Sequence, residues 1–105
     1  MAHIVLEQSF EHPLSEADYG EFAKRLDPCL EVHRGTWVRS YFSVDRRRVV
    51  CEFEAPDAES VREALRNARV PFDRVWSAEV FRVEDYPELL AKVQHLRSRN
   101  LVAFR

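Results

Sequence analysis

The residues of this chain best placed to do chemistry are glutamates at alternating positions, Glu7, Glu52, Glu54 and Glu79, with His3, Arg39 and Tyr41 in similar stretches. Alternation with a period of two puts every second side chain on one face of a strand. Carboxylates on neighbouring strands repel unless a cation or a proton sits among them. Three outcomes follow. The carboxylates hold a hard or borderline divalent ion, with His3 or Tyr41 nearby. They pair with arginines, Arg39 first. Or one is kept protonated and serves as acid or base. The plain alternative is a solvated, ion-paired sheet face, because surface glutamate is common.

Other chemistry is thinly represented. No H-x-x-x-H, C-x-x-C or E-x-x-H spacing occurs, which argues against a closed zinc site. Cys29 and Cys51 fall in different elements, as expected of reduced thiols. Cys51 reads as a small core residue and Cys29 as helix packing. His12 belongs to a loop, His33 to a helix end where a cation suits the dipole, and His95 to a terminal helix without a partner at metal spacing. Met1-Ala2-His3 would make a square-planar Ni(II) or Cu(II) site if Met1 stayed, but a small second residue favours its removal. Arg46-Arg47-Arg48 reads as a solvated hairpin tip, and with only Gly20 and Gly35 there is no glycine-rich phosphate loop.

These residues need elements to hold them. Residues 3–10 alternate, with Ile4, Leu6 and Phe10 on one side and His3, Glu7 and Ser9 on the other. Val5 is the exception on the polar side, and His12-Pro13 ends the strand. Ser15-Glu16-Ala17-Asp18 opens a helix with Ser15 as N-cap, carried on by Tyr19, Phe22, Ala23 and Leu26. Proline costs about 3 kcal/mol inside a helix but suits the first position after a cap. Asp27-Pro28 therefore predicts a kink or a short second helix over 28–33, ending near Gly35. Residues 36–43 and 48–55 are β-branched and aromatic around Val44-Asp45-Arg46-Arg47, which predicts a hairpin. Asp57 caps another helix with a Val61, Ala64, Leu65, Ala68 stripe. Residues 74–83 predict a fourth strand, and 87–98 a terminal helix through Leu89, Leu90, Val93 and Leu96. The tail Leu101-Val102-Ala103-Phe104 is apolar and could dock a partner.

The order β-α-β-β-α-β is the ferredoxin-like unit, an α+β fold. Right-handed crossovers give an antiparallel four-stranded sheet of order 4-1-3-2 with the helices on one face. The expected division is a ferredoxin-like domain over 1–83 and a C-terminal helical extension over 84–105. The other face needs a cover: a second copy, the terminal helix or a ligand. Alternation puts His3, Val5, Glu7, Trp37, Arg39, Tyr41, Val50, Glu52, Glu54, Ser77, Glu79 and Phe81 on that open face. Under the helices it puts Ile4, Leu6, Phe10, Val38, Ser40, Phe42, Val49, Cys51, Phe53, Trp76, Ala78 and Val80. A slip of one residue inverts such an assignment, and strand two is the least secure.

Composition agrees with one globular domain: 105 residues, 46% hydrophobic and 32% charged. Such a chain buries roughly two-thirds of its unfolded surface, enough for a core without a disulfide or structural metal. A net charge of −2 gives no bulk electrostatic case for nucleic acid or membrane lipid. The N-terminus lacks the basic and apolar regions of a signal peptide, and the apolar runs fall short of the ~20 residues of a membrane span. The cytoplasm is the expected compartment.

Three stretches carry a resemblance. They are Thr36-Trp37-Val38-Arg39-Ser40-Tyr41-Phe42-Ser43-Val44-Asp45, then Cys51-Glu52-Phe53-Glu54-Ala55-Pro56-Asp57-Ala58-Glu59-Ser60-Val61-Arg62, then Val70-Pro71-Phe72-Asp73-Arg74-Val75. Together they resemble a family of small bacterial proteins, a domain of unknown function with a nickel-binding member of ferredoxin-like fold. The resemblance covers about residues 3–83 and implies a homodimer that binds Ni(II). Many relatives have His at the position of Arg39, and a charged guanidinium does not ligate a metal, so Arg39 departs from that pattern. The expectation is a non-enzymatic divalent-metal-binding protein, dimeric through its open sheet face. Its metal ligands would be Glu7, Glu52, Glu54 and His3, with Trp37, Arg39, Tyr41 and Glu79 as ligand-binding neighbours. The alternatives are a small enzyme of the dimeric α/β-barrel kind with Arg39 anchoring an anionic substrate, and an assembly module docking through its tail.

Overall fold

The structure, a computed structural model, describes residues 1–92. Its elements are β1 (Ala2–Ser9), α1 (Glu16–Val32), β2 (Thr36–Phe42), β3 (Arg48–Ala55), α2 (Ala58–Ala68) and β4 (Arg74–Ala78). A 3₁₀ turn at Val83–Asp85 and helical residues 87–92 follow. The sheet order is β2-β3-β1-β4, the expected 4-1-3-2 read from the opposite edge, and every pairing is antiparallel. The remainder of the predicted terminal helix and the apolar tail lie outside the described residues.

One face of the sheet is closed by both helices. Ile4 and Leu6 of β1, Val49, Cys51 and Phe53 of β3 and Val75 of β4 are buried there against Leu26 and Leu30 of α1 and Val61, Ala64 and Leu65 of α2. The stripe read for the second helix is thus its buried face. Asp57 caps α2 as expected, its carboxylate accepting from the Ser60 N–H at 2.7 Å.

Pro28 does not interrupt α1, which runs unbroken from Glu16 to Val32. Packing outweighs the local penalty. Leu26 and Leu30 flank the proline and expose only 2% and 1% of their surface. Burying each contributes roughly 1.5–3 kcal/mol, together at least the ~3 kcal/mol that an interior proline costs. The helix closes at His33, and Arg34, with φ of 61°, takes the left-handed position beyond it. Gly35 serves the close approach instead: a Cβ there would meet Leu30 Cδ2 at 3.0 Å.

Alternation predicted β1 and β3 correctly and went wrong in two places. In β2 the pairing shifts between Trp37, opposite Phe53, and Arg39, opposite Glu52. Val38 is the extra residue of a bulge. Trp37 therefore stands on the helix-covered side against Tyr19 and Phe53, and Val38 is exposed, the reverse of the expectation. Beyond the bulge, Arg39 and Tyr41 face outward and Ser40 and Phe42 inward, as read. In β4 the whole assignment is inverted. Val75 lies opposite Leu6 in the core, whereas Trp76 lies opposite Val5 and Ala78 opposite His3 on the open face. Val75-Trp76-Ser77-Ala78 carries apolar residues in both parities, so alternation could not choose. The small Val75 fits under α2, and the indole finds a polar partner outside. The strand also ends at Ala78, so Glu79, Val80 and Phe81 follow it and do not extend it.

Candidate functional site

Antiparallel pairing brings the outward residues of the three neighbouring strands β2, β3 and β1 together around Glu52. It lies opposite Arg39 of β2 and Val5 of β1, with His3 one pleat further along. Arg39 Nε stands 2.8 Å from Glu52 Oε2, and His3 Nε2 stands 3.9 Å from the same oxygen. Tyr41 approaches the other oxygen at 3.5 Å, the outer limit of a hydrogen bond. Glu52 is the enclosed member, its side chain 20% exposed against 57% for Arg39. Oε2 is fully buried and has no hydrogen-bond partner among the described residues, although Arg39 Nε stands at ion-pair distance from it. The contact is an ion pair with an unsatisfied acceptor, an uncommon condition for a buried oxygen.

Over these residues lies a cavity of about 470 Å³. Its floor is His3, Arg39, Tyr41 and Glu52, and its wall is Val80, Phe81, Arg82, Val83, Glu84 and Leu90 from the chain beyond β4. Phe81 and Tyr86 stack at 4.7 Å within that segment. Sequence reasoning put Phe81 on the open face and named the terminal helix among its possible covers, but read residues 74–83 as one strand, and so did not show that the chain leaves the sheet after Ala78. The volume lies in the range of small-molecule sites, about 300–1,000 Å³.

The remaining expected site residues are elsewhere. Glu7 accepts from Trp76 Nε1 at 2.9 Å and borders a separate hollow with Arg48, Asp73 and Arg74. Glu54 and Glu79 are exposed and do not line the cavity. Trp37 is on the other side of the sheet. There it donates to Ser40 Oγ at 2.9 Å, inside a cluster with Tyr19 and Cys51. Burial foremost pushes both the Cys51 thiol and the Tyr19 hydroxyl above their usual ranges. Cys51 is the core residue that was expected. Arg46 is less free than a solvated tip: its Nε donates to Leu14 O at 2.7 Å and its guanidinium covers Phe42.

The donor set is small. Among the described residues no group of three or more His, Cys, Asp or Glu side chains is placed to hold a metal ion. His3 and Glu52 together supply one imidazole nitrogen and one unsatisfied oxygen, which fit part of a coordination shell and not a closed one. Among the described residues no helix is long and apolar enough to cross a membrane.

The model of a family described as nickel responsive protein SCO4226-like matches residues 5–77, and the chain belongs to that family. The crystal structure of SCO4226 from Streptomyces coelicolor A3(2) shares the fold with a TM-score of 0.70 at 14% identity, over 77% of this chain and 100% of that one. No curated protein shows significant similarity to the chain.

Proposed function

We propose, with membership of the nickel-responsive family as the premise, that this is a small non-enzymatic protein that binds a divalent ion, nickel first, on its open sheet face, and that it acts as a homodimer through that face. Glu52 Oε2 carries the reading: a buried carboxylate oxygen without a hydrogen bond, 3.9 Å from an imidazole nitrogen, at the floor of a cavity. An oxygen and an imidazole nitrogen suit a borderline ion such as Ni(II). Among the described residues one chain contributes this pair of donors. Two-fold symmetry would bring a second copy of the same pair to the same face, since such an interface apposes one patch with itself.

Calorimetry with Ni(II) on tag-free protein is the test, with sedimentation to read the dimer. Heat and a thermal shift are expected with the native chain, and both are lost in Glu52→Gln and in His3→Ala. No heat and no shift with the native chain ends the reading. A second reading is favoured by Arg39, whose terminal nitrogens have no hydrogen-bond partner among the described residues although the residue lines the cavity. In it, the site takes an anionic small molecule as an enzyme of the dimeric α/β-barrel kind would. Titration with carboxylates in the absence of metal separates the two.

A further inference from the structure

We infer that the cavity over Arg39 takes an amphipathic monocarboxylate, a small organic acid with one carboxylate at its head and an apolar, preferably aromatic body. The inference rests on the anionic small-molecule reading above and not on metal binding. The Arg39–Glu52 pair decides which charge the cavity offers. Glu52 is the inner member, its side chain 20% exposed and its Oε2 fully buried, whereas Arg39 is 57% exposed on the cavity floor. The carboxylate is covered by its own partner, so the guanidinium is what a ligand meets. Arg39 engages Glu52 through Nε at 2.8 Å, which holds the planar group in place. Its outer edge, carrying both terminal nitrogens, has the fork geometry that matches the two oxygens of a carboxylate. The Tyr41 hydroxyl on the same floor is a further donor.

The wall decides what the carboxylate is attached to. Val80, Phe81, Val83 and Leu90 line it together. Phe81 is 64% exposed and stacks on Tyr86, the ring centroids 4.7 Å apart and the planes 18° from parallel. A single exposed apolar side chain is ordinary, but four that line one cavity beside an arginine mark a binding surface. A ring steadied by its neighbour offers a ligand apolar contact at little cost in side-chain freedom. Arg82 and Glu84 stand in the same wall and offset each other in charge. The Glu84 carboxylate repels a second acid group on the ligand. One carboxylate is therefore favoured over two or three, and the volume of about 470 Å³ suits a molecule of that size.

The test is calorimetry on the full tag-free chain in metal-free buffer with four probes: 3-phenylpropanoate, acetate, succinate and the uncharged 3-phenylpropanol. 3-Phenylpropanoate is expected to bind at least about tenfold more tightly than each of the others. In Arg39→Ala its advantage over the alcohol disappears, and Arg39→Lys, which keeps charge but not the fork, retains it only in part. Phe81→Ala cuts the advantage over acetate and leaves acetate itself unchanged. Glu84→Gln narrows the margin over succinate. Thermal melts of each variant without ligand confirm folding. Acetate or succinate matching 3-phenylpropanoate in the native chain overturns the inference and leaves the anionic reading standing. The alcohol matching it overturns the inference in favour of an uncharged apolar ligand. No binding by any probe removes the anionic reading as well, and leaves the metal-binding reading to the nickel titration above.

Discussion

Trp37 Nε1 donates to Ser40 Oγ at 2.9 Å, although the two residues are three apart on one strand. In a regular strand their side chains would leave opposite faces. The bulge at Val38 puts both on the helix-covered side, where Ser40 also meets Tyr19 at 3.0 Å and Cys51 at 3.0 Å. The same bulge returns Arg39 to the open face opposite Glu52. One extra residue therefore sets both the inner polar cluster and the outer ion pair.

Ser40 is the common partner of that cluster, so its loss leaves several half-buried groups short of a hydrogen bond. Ser40→Ala is expected to lower unfolding stability by about 1–3 kcal/mol, read from urea or guanidinium midpoints at unchanged slope. A neutral result would mean that the indole and phenol are satisfied by water instead.

Pro28 makes a prediction of opposite sign. It stands inside an unbroken helix and lacks the N–H that would bond Lys24 O. Pro28→Ala restores the donor in a helix that packing already holds in place. Stability should rise, by no more than about 3 kcal/mol. A loss would show that the proline ring contributes packing the alanine cannot replace.

Asp57 ties stability to pH. Hydrogen bonds from the Ser60 hydroxyl and N–H hold its carboxyl below the usual range, and Glu59 is lowered by Arg66 and Arg62 in the same helix. A carboxyl lowered on folding stabilises at pH above its unfolded value and loses that contribution as pH falls through the folded one. Asp57→Ala should therefore melt below the native chain at pH 7. The gap should hold down to about pH 5 and close below about pH 4, near the ordinary carboxyl range. An equal gap at pH 3 and pH 7 would place the stabilisation outside the ionised cap.

What was legible from sequence follows from local rules with one solution. In β1 and β3 alternation sets Ile4, Leu6, Val49, Cys51 and Phe53 toward the core, although Val5 and Val50 are apolar on the other side. Asp57 and the stripe behind it specify α2, and the element order specifies the sheet order. Arg39 and Glu52 were both read as outward, but an outward residue is not yet a neighbour. Only strand pairing sets them 2.8 Å apart.

The rest depended on competition between distant groups. The bulge in β2, the inverted face of β4 and the survival of α1 across Pro28 are each settled by what packs or bonds on the other side: Tyr19 and Phe53 for Trp37, Glu7 for Trp76, and the sheet beneath Leu26 and Leu30. The candidate site belongs mostly to this second group. Its floor was written into alternation, whereas its wall exists because the chain turns away after Ala78 and lays Phe81, Arg82 and Leu90 beside His3 and Arg39. Alternation is a property of neighbours in sequence, and enclosure is a property of neighbours in space. In β1, β3 and β2 beyond its bulge the sequence alone determined which residues face outward, and the tertiary structure decided the facing of Trp37 and of β4 and which outward residues share a cavity.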